Sequence, residues 1–148
     1  ALAARDHSVN PRLLLAFLEY HAGWLTDPRR PSEDEFQYPL GNPDPQWQGL
    51  FRQLTWLANE LGNGYYGWRA GTLNELIFED GSIVRLAPEQ NAGTVALQYY
   101  FSRRSRGREW AEALGPEGFL ATYEKLFGDA WSYFHPLYEP GVNQPELI

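Results

Sequence analysis

Apolar residues recur at helical spacing through Leu13, Leu14, Phe17, Leu18 and His21. That spacing predicts an amphipathic helix over Asn10–Trp24 with one wide apolar stripe. Its ends carry their own signals. Asn10 can accept from an orphan N–H of the first turn, Pro11 suits the first helical position, and Gly23 can take the left-handed conformation that stops a helix. A second stripe (Trp47, Leu50, Phe51, Leu54, Leu57, Ala58, Leu61) starts after Asp44-Pro45 and stops at Gly62. Further helices are predicted over Pro88–Ser102, Arg108–Leu114 and Glu117–Phe127. Residues 1–9 read as a short helical lead-in.

Between the second and third helices the pattern changes. Leu76–Glu79 and Ser82–Leu86 flank Asp80-Gly81, a two-residue hairpin signal. A lone hairpin is marginal in water, so this one must pack on the helices. Thr26–Pro45 reads as a long surface loop, because Pro28, Pro31 and Pro39 block a helix and restrict the residues before them. Loops of that length are usually functional or mobile. Asn63–Gly71 reads as a Gly-rich loop carrying Tyr65, Tyr66 and Trp68, and the Pro-bearing segment from Phe134 reads as an extended strap or linker. The expectation is a mainly α single domain over residues 1–133, with one small β-hairpin at about 76–86, followed by a strap over 134–148.

Composition narrows the function. The 148 residues suit one domain. With 12 Lys+Arg against 19 Asp+Glu the net charge is −7, which argues against a nucleic-acid partner, since such partners need a basic face. The basic cluster Arg103, Arg104, Arg106 and Arg108 reads as a solvated turn between helices. No apolar run approaches the roughly 20 residues of a membrane span, so no membrane insertion is expected. The absence of Cys removes disulfides, thiolate metal sites and a Cys nucleophile. His7, His21 and His135 are scattered, without a His-Glu-x-x-His pattern, and no phosphate loop occurs, so no metal or cofactor is expected. Aromatics make up 16% of the chain. Tyr and Trp suit surfaces that are half apolar and half wet, as carbohydrate clefts are, and they also fill cores. A start at Ala1 without Met agrees with a mature or excised piece of a longer protein.

Several stretches carry a resemblance. Val9-Asn10-Pro11, Leu13-Leu14-Leu15-Ala16 and Gly23-Trp24 together resemble the first core helix of bacterial lysozyme-like domains of the lytic transglycosylase kind. In that family the helix ends in Glu-Ser-Gly and the Glu is the general acid. Without a gap, His21 takes the Glu position, Ala22 the Ser and Gly23 the Gly. Glu19 is the nearest carboxylate, two residues early and therefore about 200° round the helix. Gly49-Leu50-Phe51-Arg52-Gln53-Leu54 is similar to a Gly-Phe-x-x-Gln-Leu element of lysozyme-like cell-wall domains, whose Gln lies near the glycan cleft. An ordinary helix-surface role for Gln53 weighs equally. Asn91-Ala92-Gly93-Thr94-Val95-Ala96-Leu97-Gln98-Tyr99-Tyr100 resembles a second such element. Similar lysozyme-like segments stand upstream of lysostaphin-type zinc peptidases in bacterial envelope proteins. The resemblance implies a lysozyme-like helical domain whose hairpin walls a cleft, an extracellular or cell-envelope location in bacteria, and peptidoglycan glycan strands as partner. It also implies a covalently linked peptidase domain outside this chain.

Glycoside cleavage needs a proton donor. With His21 at the expected position the domain reads as degenerate, and Glu19 becomes the substitute general acid. A neutral His can shuttle protons, although a lone His on an apolar stripe is usually a core residue. Asp27 and the acidic run Glu33–Glu35 are candidate second carboxylates. Gln53, Tyr65, Tyr66, Trp68, Asn91, Thr94 and Tyr99 are the candidate glycan contacts. Three functions follow. The leading one is peptidoglycan recognition by a degenerate cleft, as the accessory part of a larger secreted cell-wall protein. The second is an active muramidase or lytic transglycosylase using Glu19. The third is a structural or interaction domain without glycan affinity.

Overall fold

The computed structural model describes residues 2–129, and its helices are arranged around the ring of Phe17. A short helix α1 (Leu2–Asp6) leads into α2 (Pro11–Ala22). The ends of α2 form as their residue types dictate. The Asn10 side chain accepts from the Arg12 N–H at 2.9 Å, and Gly23, at φ +67°, donates its N–H to the Glu19 carbonyl. Phe17 is fully buried. Its ring stacks on Phe119 of α7 (Phe119–Phe127), with centroids 4.1 Å apart, and meets the edge of Tyr100 of α5 (Ala92–Ser102) at 4.8 Å. Burying such a side chain contributes roughly 2–3 kcal/mol, so this aromatic knot ties three helices together.

The stretch expected as a loop from Thr26 contains one helical turn, α3 (Glu33–Gln37). Ser32 and Glu35 close a capping box around it, and that reciprocal pair is enough to hold a single turn. The second major helix also starts later than its Asp-Pro signal suggested. Pro45–Trp47 form a 3-10 turn, Gly49 takes φ +92°, and α4 (Leu50–Arg69) begins after it.

The expected aromatic loop over 63–71 is largely helix, because α4 runs through Gly62, Gly64 and Gly67 to Arg69. Each Gly costs a helix about 1 kcal/mol relative to Ala, and packing overrides that cost. At Gly64 a Cβ would stand 2.8 Å from the Tyr99 Cβ and 2.9 Å from the Ala96 Cα. The glycine lets α4 and α5 approach closely, and theirs is the most extensive helix pairing among the described residues.

Strands β1 (Glu75–Ile77) and β2 (Ile83–Arg85) form the expected antiparallel hairpin, with Leu76 opposite Val84 and Ile77 opposite Ile83. Its connection is a three-residue loop rather than a two-residue turn. Phe78 donates to the Ser82 carbonyl, Gly81 donates to the Phe78 carbonyl, and Gly81 sits at φ +79° as the bulge residue. The Asp80 carboxylate fixes this geometry by accepting from the Ser82 N–H at 3.0 Å and hydroxyl at 2.6 Å. The hairpin turns Leu76 and Phe78 onto Val95 and Trp110, forming a second small core. Asn91 caps α5 four residues after the expected Pro88 start would place it, rather than lying inside that helix. Helix α6 (Gly107–Leu114) joins α5 to α7. The observed fold is mainly α with one small hairpin. The strap expected over 134–148 lies outside the described residues, as does His135.

Candidate functional site

His21, on the last turn of α2, lies in the floor of a recess of about 210 Å³ that Tyr38, Leu40, Gly41, Glu35 and Arg104 also line. Two further recesses adjoin it. One of about 220 Å³ shares Ala22 and is walled by Trp24 and Phe36. The other, of about 200 Å³, shares Arg104 and is walled by Glu79 of the hairpin loop, Ser102, Ser105 and Glu109. Through these shared residues the three recesses follow one another from the α2–α3 connection, over the end of α2, to the hairpin, and together they are termed the groove.

The local sequence explains each wall. Gly23 ends α2 and turns the chain so that Trp24 stacks on Phe36 of α3, with centroids 5.9 Å apart at 23°. Phe36 is 57% exposed. The Trp24 Nε1–H is buried and has no hydrogen-bond partner among the described residues. Gly41, at φ +74°, lets the loop pass over Arg104, since a Cβ there would meet Nη2 at 2.9 Å. On its other side the Arg104 guanidinium lies over the Trp56 ring at 5.1 Å and the Tyr100 ring at 5.7 Å.

His21 Nε2 is 2.9 Å from the hydroxyl of the fully buried Tyr100. Burial, reinforced by the Arg104 charge, lowers the His21 pKa to about 4. The imidazole is therefore neutral at pH 7. Burial holds the Tyr100 phenol protonated by pushing its pKa up, so its O–H is available to donate to the His21 ring.

Glu19 points elsewhere. Its carboxylate accepts from the Leu25 N–H at 2.8 Å, the Thr26 N–H at 3.3 Å and the Thr26 hydroxyl. Desolvation pushes its pKa up, but these hydrogen bonds and the Lys125 charge outweigh it, and the net shift is downward. Its carboxylate buttresses the exit from α2. Asp27 and Glu35 both pair with Arg29, at 3.0 and 2.6 Å, and Arg29 together with Ser32 depresses the Glu35 pKa to about 2. Glu60 is a carboxylate whose pKa rises, through burial opposed by Arg103, and it is not among the residues lining the groove.

The candidate glycan contacts are dispersed. Gln53 is fully buried, and its amide is engaged throughout. Its Oε1 accepts from Leu40 and Asn42, and its Nε2 donates to the carbonyls of Asn42 and Trp47. It clamps the loop that forms the groove's wall. Trp68 and Tyr99 pack against the hairpin core, and Trp68 Nε1–H donates to the Gln90 carbonyl. The Asn91 side chain accepts from the Thr94 N–H as the cap of α5. Tyr65 and the exposed Tyr66 line a separate recess of about 370 Å³ with Asn10 and Leu97.

Arg104 was concealed in the sequence by its basic neighbours. Two of them behave as a solvated turn should, with Arg106 beside Asp80 and Arg108 on Glu112. Arg104 departs from that pattern because Trp56 and Tyr100 supply a flat aromatic bed for it. Among the described residues there is no cluster of three or more His, Asp or Glu able to hold a metal. A family model described as LasA, N-terminal domain, matches residues 2–140. No curated protein and no solved structure matches.

Proposed function

This chain belongs to the LasA N-terminal domain family, and from that premise we propose that it recognises bacterial cell-wall glycan through the groove at the end of α2. In this reading it is the accessory, wall-holding part of a larger secreted protein whose peptidase domain lies outside these residues. The family is that of LasA staphylolytic protease precursors, which supports a place upstream of a peptidase and an extracellular location. No helix among the described residues is long and apolar enough to cross a membrane.

The observation that carries recognition over cleavage is the pairing of His21 with Tyr100 in the groove floor. An acid catalyst at that point needs a protonated group of raised pKa. His21 is instead neutral, with its pKa held near 4, while the Glu19 carboxylate is held ionised beside Leu25 and Thr26. The walls provide what a sugar polymer needs for binding. The Trp24–Phe36 stack offers an aromatic face, and the hairpin end offers hydroxyl and carboxylate groups.

Purified peptidoglycan sacculi test this directly. The chain is expected to co-sediment with them and to release no muropeptides detectable by mass spectrometry. Release that disappears in Glu19→Gln would replace recognition with catalysis, and a chain that stays in the supernatant without activity would leave a structural domain.

A further inference from the structure

Arg104 is a half-buried guanidinium that forms no ion pair or side-chain hydrogen bond with any described residue. Its guanidinium carbon lies 5.1 Å from the Trp56 ring centre and 5.7 Å from that of Tyr100, so two aromatic faces hold it. It is shared by the recess over His21 and the recess beside the hairpin. The acids that line those recesses do not neutralise it. Glu35 is engaged by Arg29, and neither Glu79 nor Glu109 comes within ion-pair distance. Gly41 lets the loop lie against Nη2 without a Cβ clash. Tyr38 lines the same recess, and its hydroxyl bonds no described residue.

A planar fork of N–H donors with no partner among the described residues matches an oxyanion, carboxylate or phosphate, and the oxyanion of a peptidoglycan strand is a carboxylate. We propose that Arg104, in the recess that Tyr38 also lines, is the receptor for a free carboxylate on the wall polymer, so that the groove selects acidic over neutral glycan. This rests on the glycan reading of the groove. The carboxylate has two possible sources on such a polymer, the lactyl group of an unsubstituted muramic-type sugar and the free acid of a peptide stem.

Calorimetric titration of the full chain with five probes tests it: a muramic-acid-containing disaccharide, its carboxamide, a stem peptide with free acids, its amidated form, and a neutral chito-oligosaccharide. The expected result is that one acidic probe binds about tenfold or more tightly than its amide or than the neutral sugar. That preference should vanish in Arg104→Gln and be reduced in Arg104→Lys, which keeps the charge but loses the fork. Whichever acidic probe shows the preference identifies the source. Saccharide binding with acid and amide equal in both pairs would overturn the proposal while leaving glycan recognition standing. Acid-dependent binding of the stem peptide with no saccharide binding would do the reverse. No binding of any probe would end both. If Arg104→Gln fails to fold, the acid-against-amide difference in the unaltered chain still decides.

Discussion

His21 Nε2 and the Tyr100 hydroxyl lie 2.9 Å apart, joining the last turn of α2 to the last turn of α5. The contact holds a neutral imidazole in the floor of the groove, and the burial of that ring ties stability to pH. Burial and then the Arg104 charge depress the His21 pKa from 6.5 to about 4. The unfolded chain therefore takes up the proton first as pH falls. The stabilisation is complete above pH 6.5 and is lost between about 6.5 and about 4, to the extent of about 3 kcal/mol. Urea unfolding at pH 7 and pH 4.5 should show this loss, and His21→Gln should remove most of it. An unchanged pH dependence in the variant would assign the loss to other groups.

Gly64→Ala should destabilise the chain by about 1–3 kcal/mol, even though Ala is the better helix former. The added methyl would sit 2.8 Å from the Tyr99 Cβ and 2.9 Å from the Ala96 backbone, forcing α4 and α5 apart. A thermal midpoint equal to or above that of the unaltered chain would show that the helices yield easily.

Gln53→Ala removes the partners of the Leu40 and Asn42 N–H groups and of the Asn42 and Trp47 carbonyls at once. The expected cost is about 3 kcal/mol, given the penalty for orphaned buried polar groups. Amide hydrogen exchange should accelerate at Leu40 and Asn42 specifically. If stability is unaffected and only glycan binding is lost, Gln53 contacts ligand instead.

Phe36 and Tyr66 are exposed aromatics, at 57% and 61%, on two different recesses. Neither substitution to Ala should disturb the core. Under the groove reading, Phe36→Ala weakens sacculus binding severalfold, by about 1 kcal/mol of lost stacking, and Tyr66→Ala leaves it unchanged. The opposite result from co-sedimentation would move the glycan site to the recess beside Tyr65.

Much of the fold was legible because its signals are local. The Asn10 cap, the Gly23 stop and the apolar stripe between them all lie within one helix. The hairpin was legible as an element, but its loop length was not, since the Asp80–Ser82 bonds that select a bulge at Gly81 are a side-chain choice within the turn. The site was much less legible. Glu19 and His21 are two residues apart in sequence, yet one faces Thr26 and the other Tyr100. The aromatic residues singled out around Tyr65–Trp68 divide between a separate recess and the hairpin core.

By itself the sequence determined where the apolar-striped helices lie, where α2 begins and ends, and that a hairpin follows the second long helix. Periodicity, caps and turn residues act within a few positions of one another. The tertiary structure decided the rest. It made a helix of a Gly-rich stretch because Ala96 and Tyr99 could close on Gly64. It turned Gln53 inward because the preceding loop, 6 to 13 residues away, offered four backbone contacts. It set Arg104 apart from the other arginines of its run because Trp56 and Tyr100 provide the rings on which a guanidinium can lie. Each outcome depends on groups brought close only by packing, which is why no local pattern announces them.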